Sequence, residues 1–189
     1  MKIIRLRFNG TCPLLMHSDR GANPLDKAVQ AHKKLTSKRG KTDEDQLAIA
    51  WSEYQLGIYH DDELGPYIPS LNIEQSIWEG GKKNKLGQKF KASARCIEDR
   101  IMLLYDGPRD IKSLYEAGYR DYRGIGVVGS RVMRMRPMFS KWGLEFDYAY
   151  DEMELDDSSV ILAAETAGRL VGLCDYRPRF GRFDVEVVA

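Results

Sequence analysis

Cysteine is scarce in this chain. Only three occur in 189 residues, Cys12, Cys96 and Cys174. They are odd in number and too widely spaced for a paired metal motif, so they read as reduced, buried thiols of a cytoplasmic protein. Long apolar runs are lacking as well, and the opening MKIIRLRFNG alternates charged with apolar residues where a signal core would be continuous, so no targeting or membrane segment is expected. An excess of one charge is also missing. The formal net charge is +1, which excludes steering of nucleic acid by the whole molecule but leaves room for local basic surfaces. There is no Walker loop, dinucleotide fingerprint, zinc pair, nucleophile elbow or EF-hand loop, and Gly124-Ile125-Gly126 lacks the flanking context of a phosphate cradle. No cofactor and no metal is expected. Asp61, Asp62 and Glu63 read as a solvated acidic turn.

What is present suffices for one domain, because 43% hydrophobic residues supply a sizeable core. The chain is organised around Ser158–Val188. Ser158 caps a helix whose Val160, Ile161, Ala164, Ala167, Leu170 and Val171 recur at helical spacing, and Gly172 stops it. A short loop follows with Asp175, Tyr176, Arg177, Pro178, Arg179, Gly181 and Arg182, in which several cationic forks stand beside a glycine without side-chain bulk. Phe183, Val185 and Val187 then alternate with polar residues as a half-buried strand.

Upstream, Ile4, Leu6 and Phe8 define a first strand with Arg5 and Arg7 on its far face. Asn23-Pro24 opens a lysine-rich helix reaching towards Arg39, and Thr42 with Asp45 opens a second that ends near Gly57. Ser70 caps a third, interrupted at Gly80-Gly81. Lys82, Lys83, Lys85, Lys89, Lys91 and Arg95 follow as a basic amphipathic stretch, which is either a solvated face or a backbone-binding surface. RIMLLYDG reads as a short strand, Asp110 as the start of a helical turn, and YRDYRGIGVVG as a Tyr/Arg loop. Residues 130–150 read as a hairpin. In it Arg134 and Arg136 either pair across the strands with Glu145 and Asp147 or contact a ligand.

Strand 2–9, the helix after Ser70, the two hairpin strands, the helix after Ser158 and the last strand give the order β-α-β-β-α-β. This predicts an α+β, ferredoxin-like (RRM-like) core with large helical insertions at about residues 11–66 and 80–125. Three segments extend the reading: the loop LLMHSDRGANPL with its Asn-Pro pair, PYIPSLNIEQSIW opening the first core helix, and the last helix running into VGLCDYRPRFGRF. Together they resemble the RAMP superfamily, particularly the backbone subunits that coat the guide RNA in CRISPR effector complexes. The likeness fits a CRISPR-associated protein or a free-standing one of a virus or mobile element. Departures are visible. Ser70, Leu71 and Asn72 stand where the family has glycines, Cys174 and Asp175 thin the glycine-rich loop, and Ala22 stands where RNA-cleaving members have an aspartate before Asn-Pro. The resemblance therefore implies RNA binding without that cleavage, with self-association along a strand.

Three functions follow as expectations. The first is a non-catalytic binder of single-stranded nucleic acid, RNA before DNA. In it Arg177, Arg179 and Arg182 contact phosphates, Gly181 admits the backbone, Tyr176 stacks on a base, and Arg134, Arg136, Lys82, Lys83 and Lys85 add basic surface. The second is a metal-independent endoribonuclease using His17 as general acid or base, as some RAMP relatives use a histidine. The third is a protein-interaction module that mimics or blocks a RAMP-type complex through the acidic stretches at Asp43–Asp45, Asp61–Glu63 and Asp151–Asp157.

Overall fold

A computed structural model describes residues 1–127 and 130–188. Strand β1 (Lys2–Gly10) is followed by the short β2 (Leu14–Leu15), a 3-10 turn (Asp19–Ala22), α1 (Lys27–Ser37), α2 (Asp43–Gly57), β3 (His60–Asp61), β4 (Gly65–Pro69) and α3 (Ser70–Lys83). Then come α4 (Gly87–Ser93), β5 (Ala94–Cys96), β6 (Arg100–Met102), α5 (Ile111–Glu116), β7 (Arg120–Val127), β8 (Ser130–Phe139), β9 (Gly143–Tyr150), α6 (Asp157–Leu170) and β10 (Phe183–Val187).

The central sheet has the order β10-β1-β9-β5, antiparallel throughout. Ile4, Leu6 and Phe8 of β1 and Leu144, Phe146, Tyr148 and Tyr150 of β9 are buried on one face, as the period-two alternation requires. Ile73 and Ile77 of α3 and Val160, Ala163 and Ala164 of α6 join the same core. The fold is a mixed α+β fold. The succession β1-α3-β5-β9-α6-β10 is compatible with a ferredoxin-like core, with β9 inserted between the parallel strands β1 and β5. Two further sheets, β2-β8-β7 and β3-β4-β6, flank it.

Several expectations need correction. The second core strand is β5, which lies inside the stretch 80–125 assigned to an insertion. Residues 130–150 do not form a hairpin, because β9 already has β1 and β5 as its two neighbours, so β8 pairs instead with β7 and β2. The chain changes sheets at Trp142, which is buried and donates through its indole N–H to the Cys12 carbonyl at 2.8 Å. Residues 120–127, read as part of a loop, gain a strand's ladder from β8; Val128 and Gly129 of that reading lie outside the described residues. Gly80-Gly81 does not interrupt α3. A Cβ on Gly80 would stand 2.2 Å from the Ala163 carbonyl oxygen, so the glycine is what lets α3 and α6 touch. Helix starts also move: Asp26 caps α1 in place of Asn23, Asp156 caps α6 in place of Ser158, and α3 begins at Ser70 without a side-chain cap. The Thr42–Asp45 capping box is formed as the spacing predicts.

Candidate nucleic-acid interface

The segment from Val171 to Arg182 leaves α6 and lies against residues 11–15, which leave β1. Its base is fixed by backbone hydrogen bonds. Leu173 N–H donates to Gly181 O at 2.9 Å, Gly181 N–H to Pro13 O at 2.9 Å, Asp175 N–H to Leu15 O at 3.0 Å and Thr11 N–H to Arg182 O at 2.8 Å. The Ser76 hydroxyl, buried on α3, donates to Gly172 O at 2.8 Å. Beyond these anchors the Tyr176 carbonyl accepts from Arg179 and Phe180 N–H, so residues 176–180 form a compact turn, exposed from Tyr176 to Arg179 and half-buried at Phe180.

This geometry gives Gly181 a different role from the one its lack of bulk predicts. Gly181 is buried at φ +70°, and a Cβ there would fall 2.0 Å from the Leu173 carbonyl oxygen. The space beside it is filled by the loop's own backbone, so it serves the closure of the loop and admits no strand. The three loop arginines, in contrast, are all exposed. Arg177 stands 3.6 Å from Glu79 on α3, and Arg182 donates through Nε to the Pro178 carbonyl at 2.7 Å. Among the described residues Arg179 has no ion-pair partner. Tyr176 is exposed, and Arg123 of β7, paired with Asp121, lies 5.7 Å from its ring and 4.7 Å from that of Phe180.

Arg134 and Arg136 point to neither Glu145 nor Asp147. Arg134 Nη1 lies 2.5 Å from Glu53 Oε1 on α2, and Glu53 Oε2 accepts from Met135 N–H at 2.9 Å. Arg136 Nε donates to Asp175 Oδ2 at 2.9 Å, tying β8 to the loop. Glu145 and Asp147 instead face Arg5 and Arg7 on the outer face of the central sheet, where Glu145 accepts from Arg5 at 3.0 Å and from Arg7 at 2.6 Å. That face, the one an RRM-like binder would use, is a lattice of compensated charges.

His17 stands at the junction of two adjoining cavities. The larger, about 280 Å³, is lined by His17, His32, Glu53, Leu56, Arg134 and Arg136. The smaller, about 170 Å³, is lined by His17, Tyr59, Asn72, Gln75, Asp175 and Arg177. His17 Nδ1 is 3.8 Å from Asp175 Oδ2. Burial and the Arg136 charge hold the His17 pKa below its usual value, and burial outweighs Glu53 to do the same at His32. Burial also pushes the Cys174 thiol up to about 12. Glu53 and His32 were not singled out by the sequence. Nothing local marks them, since Glu53 meets Arg134 across 81 residues.

Lys82, Lys83 and Lys85 are exposed where α3 ends and line neither cavity. Lys82 and Lys91 lie 4.5 and 5.5 Å from the Trp78 ring. Among the described residues no group of three or more His, Cys, Asp or Glu is placed to hold a metal ion, and no helix is long and apolar enough to cross a membrane. No protein-family model matches the chain, and no curated protein sequence matches it significantly.

Proposed function

We propose that the protein binds single-stranded nucleic acid, RNA before DNA, without cleaving it, and that the strand's phosphates run over the turn at residues 176–182. One observation carries this reading. A loop whose base is fixed by four backbone hydrogen bonds, within itself and to residues 11–15, presents Arg177 and Arg179 to solvent on its turn and Arg182 to solvent at its base. Guanidinium forks suit phosphate oxygens, and the backbone that carries these three is already ordered on folding. The likeness of VGLCDYRPRFGRF to the RAMP glycine-rich loop supports the same reading. Copies side by side on one strand, as the family likeness implies, are part of it.

The test is binding of labelled single-stranded RNA and DNA across a salt series, with wild type and the Arg177→Ala/Arg179→Ala/Arg182→Ala variant. Each phosphate contact on a single strand contributes about 0.7 to the slope of log K against log salt. The triple variant is expected to lose about 2 from that slope and at least about tenfold in affinity. Binding that survives the triple substitution unchanged sinks the site. A second reading, RNA cleavage by His17, has the 3.8 Å approach of His17 to Asp175 in its favour. The same mixtures decide it: RNA shortened in chelator by wild type but not by His17→Ala would establish an enzyme, and intact RNA throughout ends that reading.

A further inference from the structure

The cavity beside the loop is built for something other than a phosphate. Its two guanidiniums, Arg134 and Arg136, are each joined to a carboxylate, Glu53 and Asp175. Burial lowers the pKa values of His17 and His32 from their ordinary value, which favours the neutral form of both rings. The charges cancel, and an anion entering would gain little net attraction. What remains is a neutral cavity with many hydrogen-bonding positions. Arg134 uses Nη1 on Glu53, and Arg136 uses Nε on Asp175 and Nη1 on the Met135 carbonyl. A guanidinium offers five N–H donors, so both retain free ones. Each Glu53 carboxylate oxygen accepts one hydrogen bond, from Arg134 or from Met135 N–H, and each has a further lone pair. Leu56 contributes an apolar wall, and the volume of about 280 Å³ falls just below the usual range of small-molecule pockets, about 300 Å³ and upward.

We infer that this cavity takes one nucleobase of the bound strand, and that the base is guanine. This rests on the strand-binding reading above. Single-stranded RNA is read by splaying a base out and hydrogen-bonding its edges. Guanine presents two adjacent acceptors, O6 and N7, which suit an arginine fork. It also presents two adjacent donors, N1–H and the N2 amino group, which suit a carboxylate. Arg134 or Arg136 supplies the first partner and Glu53 the second, while the phosphates stay outside on Arg177, Arg179 and Arg182.

The experiment uses the full chain and uridine-rich RNA decamers carrying one central guanine, adenine, cytosine, uracil, inosine or 7-deazaguanine. The guanine strand is expected to bind about tenfold tighter than the uracil strand. Inosine, which lacks the N2 amino group, and 7-deazaguanine, which lacks N7, each lose most of that advantage. Glu53→Gln, checked for folding by its melting profile, should bind guanine and inosine strands alike; the two base analogues carry the test should that variant not fold. Equal binding of all four natural bases, or a preference for one other than guanine, overturns the inference while salt-sensitive, loop-dependent binding leaves the strand-binding reading standing. Absence of binding to every decamer overturns both.

Discussion

Of the arginines gathered around the segment that follows α6, five stand in two different surroundings. Arg134 and Arg136 of β8 are set against Glu53 and Asp175, and Glu53 has only 8% of its side chain exposed. Arg177 and Arg179 on the exposed turn and Arg182 at its base face solvent, and among the described residues the shortest carboxylate approach to any of them is the 3.6 Å from Arg177 to Glu79. The first pair works inward. It neutralises a buried carboxylate, ties the loop to a strand and leaves its spare N–H donors in a cavity. The second set works outward. The same residue type therefore does scaffold work in one place and stands open to solvent in the other, and counting arginines would not separate the two. Arg5 and Arg7 on the outer face of the central sheet are a third case, exposed yet already matched by Glu145, Asp147 and Glu186.

The hardest way to break this contrast is to unseat the loop. Gly181→Ala puts a Cβ against the Leu173 carbonyl at a positive φ, and the overpacking together with backbone strain is expected to cost about 3 kcal/mol or more in urea unfolding, with strand binding lost as the turn moves. Arg134→Ala comes next. It leaves Glu53 buried without its cation. Because a third of the Arg134 side chain is exposed, the loss should be about 2 kcal/mol, less than the ~3–5 of a fully buried pair. The triple loop substitution should show the opposite pattern, with strand affinity down as described above and unfolding stability changed by no more than about 0.5 kcal/mol.

Smaller effects sharpen the comparison. Arg7→Ala removes a cation already held by Glu145, so strand affinity should stay within about twofold of wild type in the labelled-strand binding series. Acid titration should show a shallow loss of stability. The folded-state pKa values of His17 and His32 lie below the ordinary value of about 6.5. The unfolded chain therefore binds more protons as pH falls through that value, and stability that is complete above it declines towards the folded-state pKa values. His17 has half of its side chain exposed, so solvent screening keeps its share small. His32→Gln should flatten part of the slope in pH-dependent urea midpoints.

The sequence made the faces of the elements legible and their partners much less so. Alternation in β1 and β9 predicts which side chains are buried, and Thr42–Asp45 predicts where α2 begins, because both are local properties of the chain. Alternation cannot say which strand lies beside which. Residues 130–139 and 143–150 follow one another, which suggests a hairpin, yet the sheet has no free edge of β9 to offer. Glycine carries the same ambiguity. Gly80, Gly168 and Gly181 each leave room, and only the folded chain shows that the room is taken by Ala163, Phe183 and Leu173 of the same protein. The loop arginines were legible as a cluster, whereas the cavity behind them depends on Glu53 and His32, brought in from α2 and α1 by tertiary packing.

The central claim is that the strand lies on the turn at residues 176–182, and photocrosslinking tests it most directly. RNA carrying 4-thiouridine is irradiated with the protein at low salt, and the adducted peptides are identified by mass spectrometry. The account predicts adducts within Tyr176–Arg182 that vanish as salt rises. Adducts confined to β1 and β9, or to the lysines around Trp78, would place the strand elsewhere and contradict it.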